Sequence, residues 1–141
     1  MIGQICDLPK GYEPSEDEEF MNDCQREYFR RKLETWKQDL LDGASELRES
    51  LREDTETLIE DADRASTEAS LAYMLRSKDR ARKLVKKIDQ ALQRIEDKTY
   101  GYCEETGEPI GLERLKARPV ATLSIEAQKK HEQREKEHSG D

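Results

Sequence analysis

The sequence is short of apolar material. Only 33% of its 141 residues are hydrophobic and 6% are aromatic. That is too little for the large enclosed core of a sandwich or barrel, so elongated helices with one buried stripe each are expected. Proline and glycine are also scarce, at four and seven, which argues against a turn-rich all-β fold. No stretch reaches the roughly 18 consecutive apolar residues of a membrane span. Residues 1–7 lack the basic start and apolar centre of a signal peptide. The expected location is therefore cytoplasmic, with no membrane partner. Cys6, Cys24 and Cys103 are the only cysteines; they fit no disulfide framework and are expected as reduced thiols. A formal charge of -8 leaves no net basic surface for duplex nucleic acid, and a protein partner is expected instead.

What is abundant is charge, at 41% of residues, carried on helix-forming Glu, Lys and Arg with interspersed Leu and Ala. Residues 1–17 mix Gly3, Pro9, Gly11 and Pro14 with acidic residues and read as a flexible acidic arm. From Glu18 to about Leu58, Phe29, Leu33, Trp36, Leu40, Ala44, Leu47, Leu51 and Leu58 recur at steps of three, four or seven, the stripe of a coiled-coil seam. A second stripe runs through Ala65, Ala69, Ala72, Leu75, Leu84, Ile88, Ala91 and Ile95. Residues 58–63 leave room only for a short connection, which makes the two helices an antiparallel hairpin over 18–97 with its tip near 58–65. Arms of about 35 residues give a rod on the order of 50 Å. Because the stripes satisfy each other within one chain, a monomer is expected. Residues 98–141 change character at Tyr100-Gly101-Tyr102 and form a small head. Its apolar candidates are Tyr100, Tyr102, Ile110, Leu112, Leu115, Val120, Leu123 and Ile125, and a polar C-terminal helix follows with Ser124 as N-cap. The fold class is all-α.

Charge is divided along the hairpin. Residues 46–63 hold eight acidic side chains against Arg48 and Arg52, whereas residues 76–87 hold seven basic ones against Asp79. The tip is negative. In the head, Cys103, Thr106, Ser124 and Ala127 stand at the C-x2-C-x17-C-x2-C spacing of a zinc ribbon with a single thiol among them. Structural zinc needs four thiolate or imidazole ligands, so no zinc is expected at this degenerate site. His131 and His138 are about two turns apart on a polar helix, too far to chelate one ion. No nucleophile with an adjacent base and no glycine-rich phosphate loop is found, so the chain is not expected to be an enzyme.

Several stretches carry a specific resemblance: Tyr28 to Trp36, Asp63-Arg64-Ala65, Arg76 to Leu84, Tyr100-Gly101-Tyr102-Cys103, and Pro109 to Pro119. Together they resemble the DksA/TraR family of transcription factors, over about Glu18 to His131. The resemblance implies a regulator that binds bacterial RNA polymerase at its secondary channel and puts the hairpin tip near the catalytic magnesium. Acting with the alarmone ppGpp in the stringent response, it would modulate initiation without reading DNA sequence itself. The family's tip motif D-x-x-D-x-A falls on Glu60, Asp63 and Ala65, with Asp61 as an alternative first carboxylate. Its polymerase-contacting arginine falls on Arg80, and its ppGpp pocket on Leu84, Lys87 and Arg118. A further family lysine aligns with Gln128, which removes a charge that the adjacent Lys129 could replace. The family thus implies ppGpp bound at the polymerase interface and no cofactor held stably by this chain alone.

Two other classes fit part of the pattern. A Gre-like accessory would use Glu60, Asp61 and Asp63 to hold a magnesium ion for transcript cleavage by the polymerase, but it would carry a β-rich C-terminal domain. A structural coiled-coil adaptor accounts for the stripes and leaves the head motif unexplained.

Overall fold

The computed structural model describes residues 4–60 and 64–139; side chains at 47, 48, 50, 51, 54–60, 64–67 and 139 are outside the description. Among the described residues four helices follow one another: α1 (Asp23–Glu60), α2 (Arg64–Asp97), α3 (Leu112–Ala117) and α4 (Ile125–Ser139). Among the described residues there is no strand, and a lone antiparallel bridge joins Tyr102 to Pro109. The expected helical fold with a hairpin and a small head is what the chain adopts. None of the described helices is long and apolar enough to cross a membrane.

Helix α1 starts at Asp23, about a turn later than the proline-free run suggested. The cause is local. The Asn22 side chain accepts from the Gln25 backbone N–H at 2.8 Å, and the Gln25 side chain accepts from the Met21 N–H at 2.8 Å. This reciprocal arrangement satisfies donors that a helix start otherwise leaves open. Met21 itself has a positive φ of 54°, so the chain turns sharply just before the cap. Helix α2 ends with comparable economy. The Thr99 N–H reaches the Arg94 carbonyl at 2.9 Å and the Lys98 N–H the Ile95 carbonyl at 3.2 Å. With Lys98 at φ 64°, this is a Schellman ending on a residue other than glycine.

The chain divides into two compact units, Met1–Leu33 with Gln90–Asp141, and Glu34–Asp89. The second contains the hairpin. Its helices are joined by the Lys37–Asp89 ion pair at 2.7 Å, which also raises the lysine's pKa. Ile88 is fully buried, and Trp36, Leu40 and Ala44 of α1 are half-buried as the stripe required. On α2 the outer half of the stripe differs from expectation. Ala72 and Leu84 are partly covered as expected, but Leu75 is 52% exposed and Ala69 is exposed, while Leu71, Met74, Ala81 and Val85 are partly covered as well. Met74, Ala81 and Ile88 stand seven apart and continue into Ile95, so a heptad ladder runs alongside the expected positions.

The first unit has the denser core. Phe29 and Leu33 from α1 are buried, as are Ala91, Leu92 and Ile95 from α2, and Tyr100, Ile110, Leu112, Leu115, Val120 and Ala127 from the head. Phe29 and Tyr100 pack ring on ring at 5.6 Å. Two head residues expected inside are not: Ile125 is 52% and Tyr102 37% exposed. Ile125 opens α4 on its outer side, and Tyr102 instead meets Phe20 edge-on at 5.5 Å. Residues 4–17, within the stretch 1–17 read from sequence as a flexible acidic arm, carry defined contacts. The Tyr12 hydroxyl bonds the Glu18 carboxylate at 2.9 Å, Lys116 Nζ donates to the Pro14 carbonyl at 3.1 Å, and the Ile5 N–H donates to Glu27 at 2.9 Å.

Candidate functional site

The four positions with zinc-ribbon spacing converge in the head. Gly107, at φ +74°, turns the chain so that its N–H meets the Cys103 carbonyl at 2.9 Å. The Cys103 N–H in turn meets the Glu108 carbonyl at 2.8 Å. Ser124 caps α4 as expected, accepting the Ala127 N–H on its hydroxyl at 3.2 Å. Cys103 is buried. Burial pushes its thiol up, but hydrogen bonds from the Thr106 hydroxyl and from the backbone N–H groups of Ser124, Thr106 and Glu105 outweigh this, and the pKa falls to about 6. Donors directed at a sulfur favour its charged form.

The donor set does not match tetrahedral zinc. It has one thiolate and two neutral hydroxyls that already accept backbone N–H groups, Thr106 from Glu108 at 3.3 Å and Ser124 from Ala127. The fourth position is the buried methyl of Ala127. Zinc held by four protein ligands needs thiolate, imidazole or carboxylate at each. Among the described residues, no group of three or more His, Cys, Asp or Glu side chains is arranged to hold a metal ion.

The head is held together by other means. The Tyr100 hydroxyl donates to the Pro119 carbonyl at 2.8 Å, and Arg114 Nε to the Leu123 carbonyl at 2.9 Å. Lys32 Nζ donates to the Lys116 carbonyl at 2.9 Å. His131 lies between Glu135 at 3.3 Å and Glu105 at 4.0 Å.

The remaining candidates lie on the helices. Glu60 closes α1 and Ala65 belongs to the first turn of α2, but their side chains, and Asp61 and Asp63 entirely, lie outside the described residues. Arg80 is exposed on α2 and borders a shallow hollow of about 400 Å³ with Leu75, Arg76 and Asp79. The neighbouring Asp79 is taken by Arg82 at 2.9 Å and Lys83 at 3.0 Å, and among the described residues Arg80 makes no ion pair. Leu84, half-buried, and Lys87, exposed, stand one turn apart on α2 in the hairpin unit. Arg118 is exposed at the C-cap of α3 in the other unit. Gln128 bonds Glu132 at 3.1 Å, and Lys129 is exposed.

One organising residue was not anticipated. Glu27 is fully buried and accepts from Arg30 at 2.6 and 2.8 Å, from Arg31 at 2.8 Å and from the Ile5 N–H at 2.9 Å. The Arg30 bonds, with those of Ile5 and Arg31, outweigh desolvation and hold its pKa down at about 2. Its signal is the Glu27-x-x-Arg30-Arg31 spacing, which places both guanidinium groups one turn away.

Two family models match the chain. Residues 25–95 match the N-terminal domain of the DnaK suppressor protein DksA, and residues 98–133 the prokaryotic dksA/traR C4-type zinc finger. The RNA polymerase-binding transcription factor DksA of Caulobacter vibrioides is 58% identical over 130 residues, 92% of each chain. The factor of that name from Escherichia coli is 40% identical over 129 residues, 92% of this chain and 85% of the relative. Among solved structures, transcription factor DksA2 from Pseudomonas aeruginosa has a TM-score of 0.78 and 43% identity, covering 83% of this chain and 90% of that one. With a hairpin matching one family model, a head matching the other and this identity along nearly its whole length, the chain belongs to the DksA family of transcription factors.

Proposed function

We propose that this chain binds bacterial RNA polymerase and regulates transcription initiation from the secondary channel, without catalysis of its own and without reading DNA sequence. The observation that carries the reading is the 58% identity to an RNA polymerase-binding transcription factor over 92% of both chains. In this reading Glu60, Asp61, Asp63 and Ala65 form the part that acts at the polymerase active region. Arg80, exposed and without an ion pair among the described residues, supplies a cation to the polymerase surface. Leu84, Lys87 and Arg118 form this chain's share of a ppGpp site completed by polymerase, with Lys and Arg giving charge-assisted bonds to phosphate. Gln128 in place of a lysine weakens ppGpp synergy.

The head works without zinc, and its apolar core and the hydrogen bonds around Cys103 take over the metal's structural part. The protein acts as a cytoplasmic monomer. A Gre-like role is disfavoured by the head, where the described residues form helices and one isolated bridge rather than a sheet. The test is binding of purified chain to core RNA polymerase, followed by transcription from a ribosomal RNA promoter with and without ppGpp. Binding with promoter-dependent inhibition is expected; failure to associate with polymerase at micromolar protein would overturn the reading.

A further inference from the structure

The cysteines outside the head form a pair that the sequence spacing conceals. Cys6 lies in the N-terminal segment and Cys24 in the first turn of α1, eighteen positions apart in the chain. The Cys6 thiol, which donates to the Asp7 carbonyl at 3.7 Å, is a neighbour of the Cys24 sulfur.

Two further contacts explain why they meet. The Ile5 N–H is anchored on buried Glu27 at 2.9 Å, and Glu27 sits one turn along α1 from Cys24, on the same helix face. Beyond the pair, the Tyr12 ring packs edge-on against Tyr28 at 6.4 Å. The segment is thus pinned to α1 on either side of Cys6, and its register brings one thiol to the other. Both cysteines are half-buried, so small oxidants have access while the partner sulfur stays within reach.

We propose that Cys6 and Cys24 are a redox modification site: hydrogen peroxide converts them to an intramolecular disulfide that clasps the N-terminal segment to the start of α1, and thiols reverse it. In the first step the Cys24 sulfur, as thiolate, attacks a peroxide oxygen. The O–O bond breaks, water leaves after protonation, and Cys24 becomes a sulfenic acid. Cys6 holds its proton until this point, since the neighbouring Cys24 sulfur, burial and the nearby Asp23 and Asp7 charges raise its pKa to about 11. As that proton is lost, the Cys6 sulfur attacks the sulfenic sulfur, the S–S bond forms, and a second water departs. The balance is two thiols and one peroxide to one disulfide and two waters. The bond asks for a sulfur separation of roughly 2.05 Å, reached from the neighbouring thiols by side-chain rotation and a small shift of the segment.

Cys103 is the internal control. It is enclosed, and its described sulfur partners are hydroxyl and amide groups, so it has no resolving thiol. The full-length protein, its Cys103→Ser variant and the single variants Cys6→Ser and Cys24→Ser are treated with hydrogen peroxide, blocked with a maleimide and analysed by intact mass and non-reducing peptide mapping. A 6–24 linked peptide, with a mass lower by two hydrogens, is expected in wild type and Cys103→Ser. It is expected to be absent from either single variant and to disappear with dithiothreitol. Limited proteolysis of residues 4–22 should slow several-fold on oxidation in wild type only. Absence of the 6–24 link in Cys103→Ser, a link to Cys103 in wild type, or disulfides only between molecules would each overturn the proposal.

Discussion

The hydroxyl of Tyr100 donates to the carbonyl of Pro119 at 2.8 Å across nineteen residues of chain, and both groups are buried. This bond ties the start of the head to the turn after α3, where a zinc ribbon would depend on metal. Tyr100→Phe keeps the ring against Phe29 and leaves the carbonyl without its donor. A loss of about 1–2 kcal/mol is expected, read in chemical denaturation as a lower midpoint with an unchanged slope.

Glu27 gives an acid limit. Its folded pKa is about 2 against an ordinary 4.5, so the stability it contributes is fully present above pH 4.5 and is lost as the pH falls through 2. The contribution at neutral pH is at most about 3 kcal/mol. Glu27→Gln should flatten the acid side of the stability curve and release residues 4–12 to proteolysis. An unchanged acid profile would count against the buried carboxylate.

Lys98 holds a left-handed conformation at φ 64°, a position where glycine carries no Cβ penalty. Lys98→Gly is expected to stabilise the protein by about 0.5–1 kcal/mol, seen as a rise of a few degrees in melting temperature. A fall would mean that the lysine side chain makes a compensating contact.

In the head, elemental analysis of purified protein should find substoichiometric zinc, and the melting temperature should not change with a strong chelator. The lowered thiol gives an independent readout. With a folded pKa of about 6 and an ordinary value of 9, the Cys103 thiolate stabilises the fold above pH 9 in full, and that contribution is lost as the pH falls through 6. Its ultraviolet absorbance should titrate with a midpoint near 6. A midpoint near 9, or unfolding on chelation, would refute this account.

Two substitutions separate the parts of the proposed mechanism. Asp63→Asn should remove effects on initiation, by about tenfold or more, while leaving polymerase affinity nearly unchanged. Arg80→Ala should weaken affinity by roughly 1–2 kcal/mol, the scale of a lost charge-assisted bond, with function recovered at higher protein concentration. If the two phenotypes are exchanged, the division between tip and shaft is wrong.

The hairpin and the head core were largely legible because their signals are local or periodic. Leu33, Ile88 and Ile95 follow heptad spacing, and Ser124 caps α4 by a rule that spans three residues. The outer stripe misled in part because Ala69 and Leu75 look like seam positions yet are exposed, whereas Leu71 and Met74 are partly covered. The N-terminal segment was not legible at all. Two of its attachments run through backbone groups to distant residues, Lys116 to the Pro14 carbonyl across 102 positions and the Ile5 N–H to Glu27, and backbone groups leave no trace in side-chain patterning. Cys6 and Cys24 were hidden for the same reason: their meeting depends on where Ile5 is anchored. The tip residues fall outside the described part of the chain.

The unit built from Met1–Leu33 and Gln90–Asp141 also fixes an order of events during synthesis. Phe29 and Leu33 leave the ribosome before any residue of Gln90–Asp141 exists, and at roughly 5–20 residues per second the wait lasts several seconds. The helices of Glu34–Asp89, whose contacts are nearer in sequence, can close in that interval. The apolar face around Phe29 must meanwhile stay uncovered or be shielded by a chaperone. Truncated chains ending before residue 90 are expected to be the aggregation-prone species on the ribosome, and completion of the head is the step that ends that exposure.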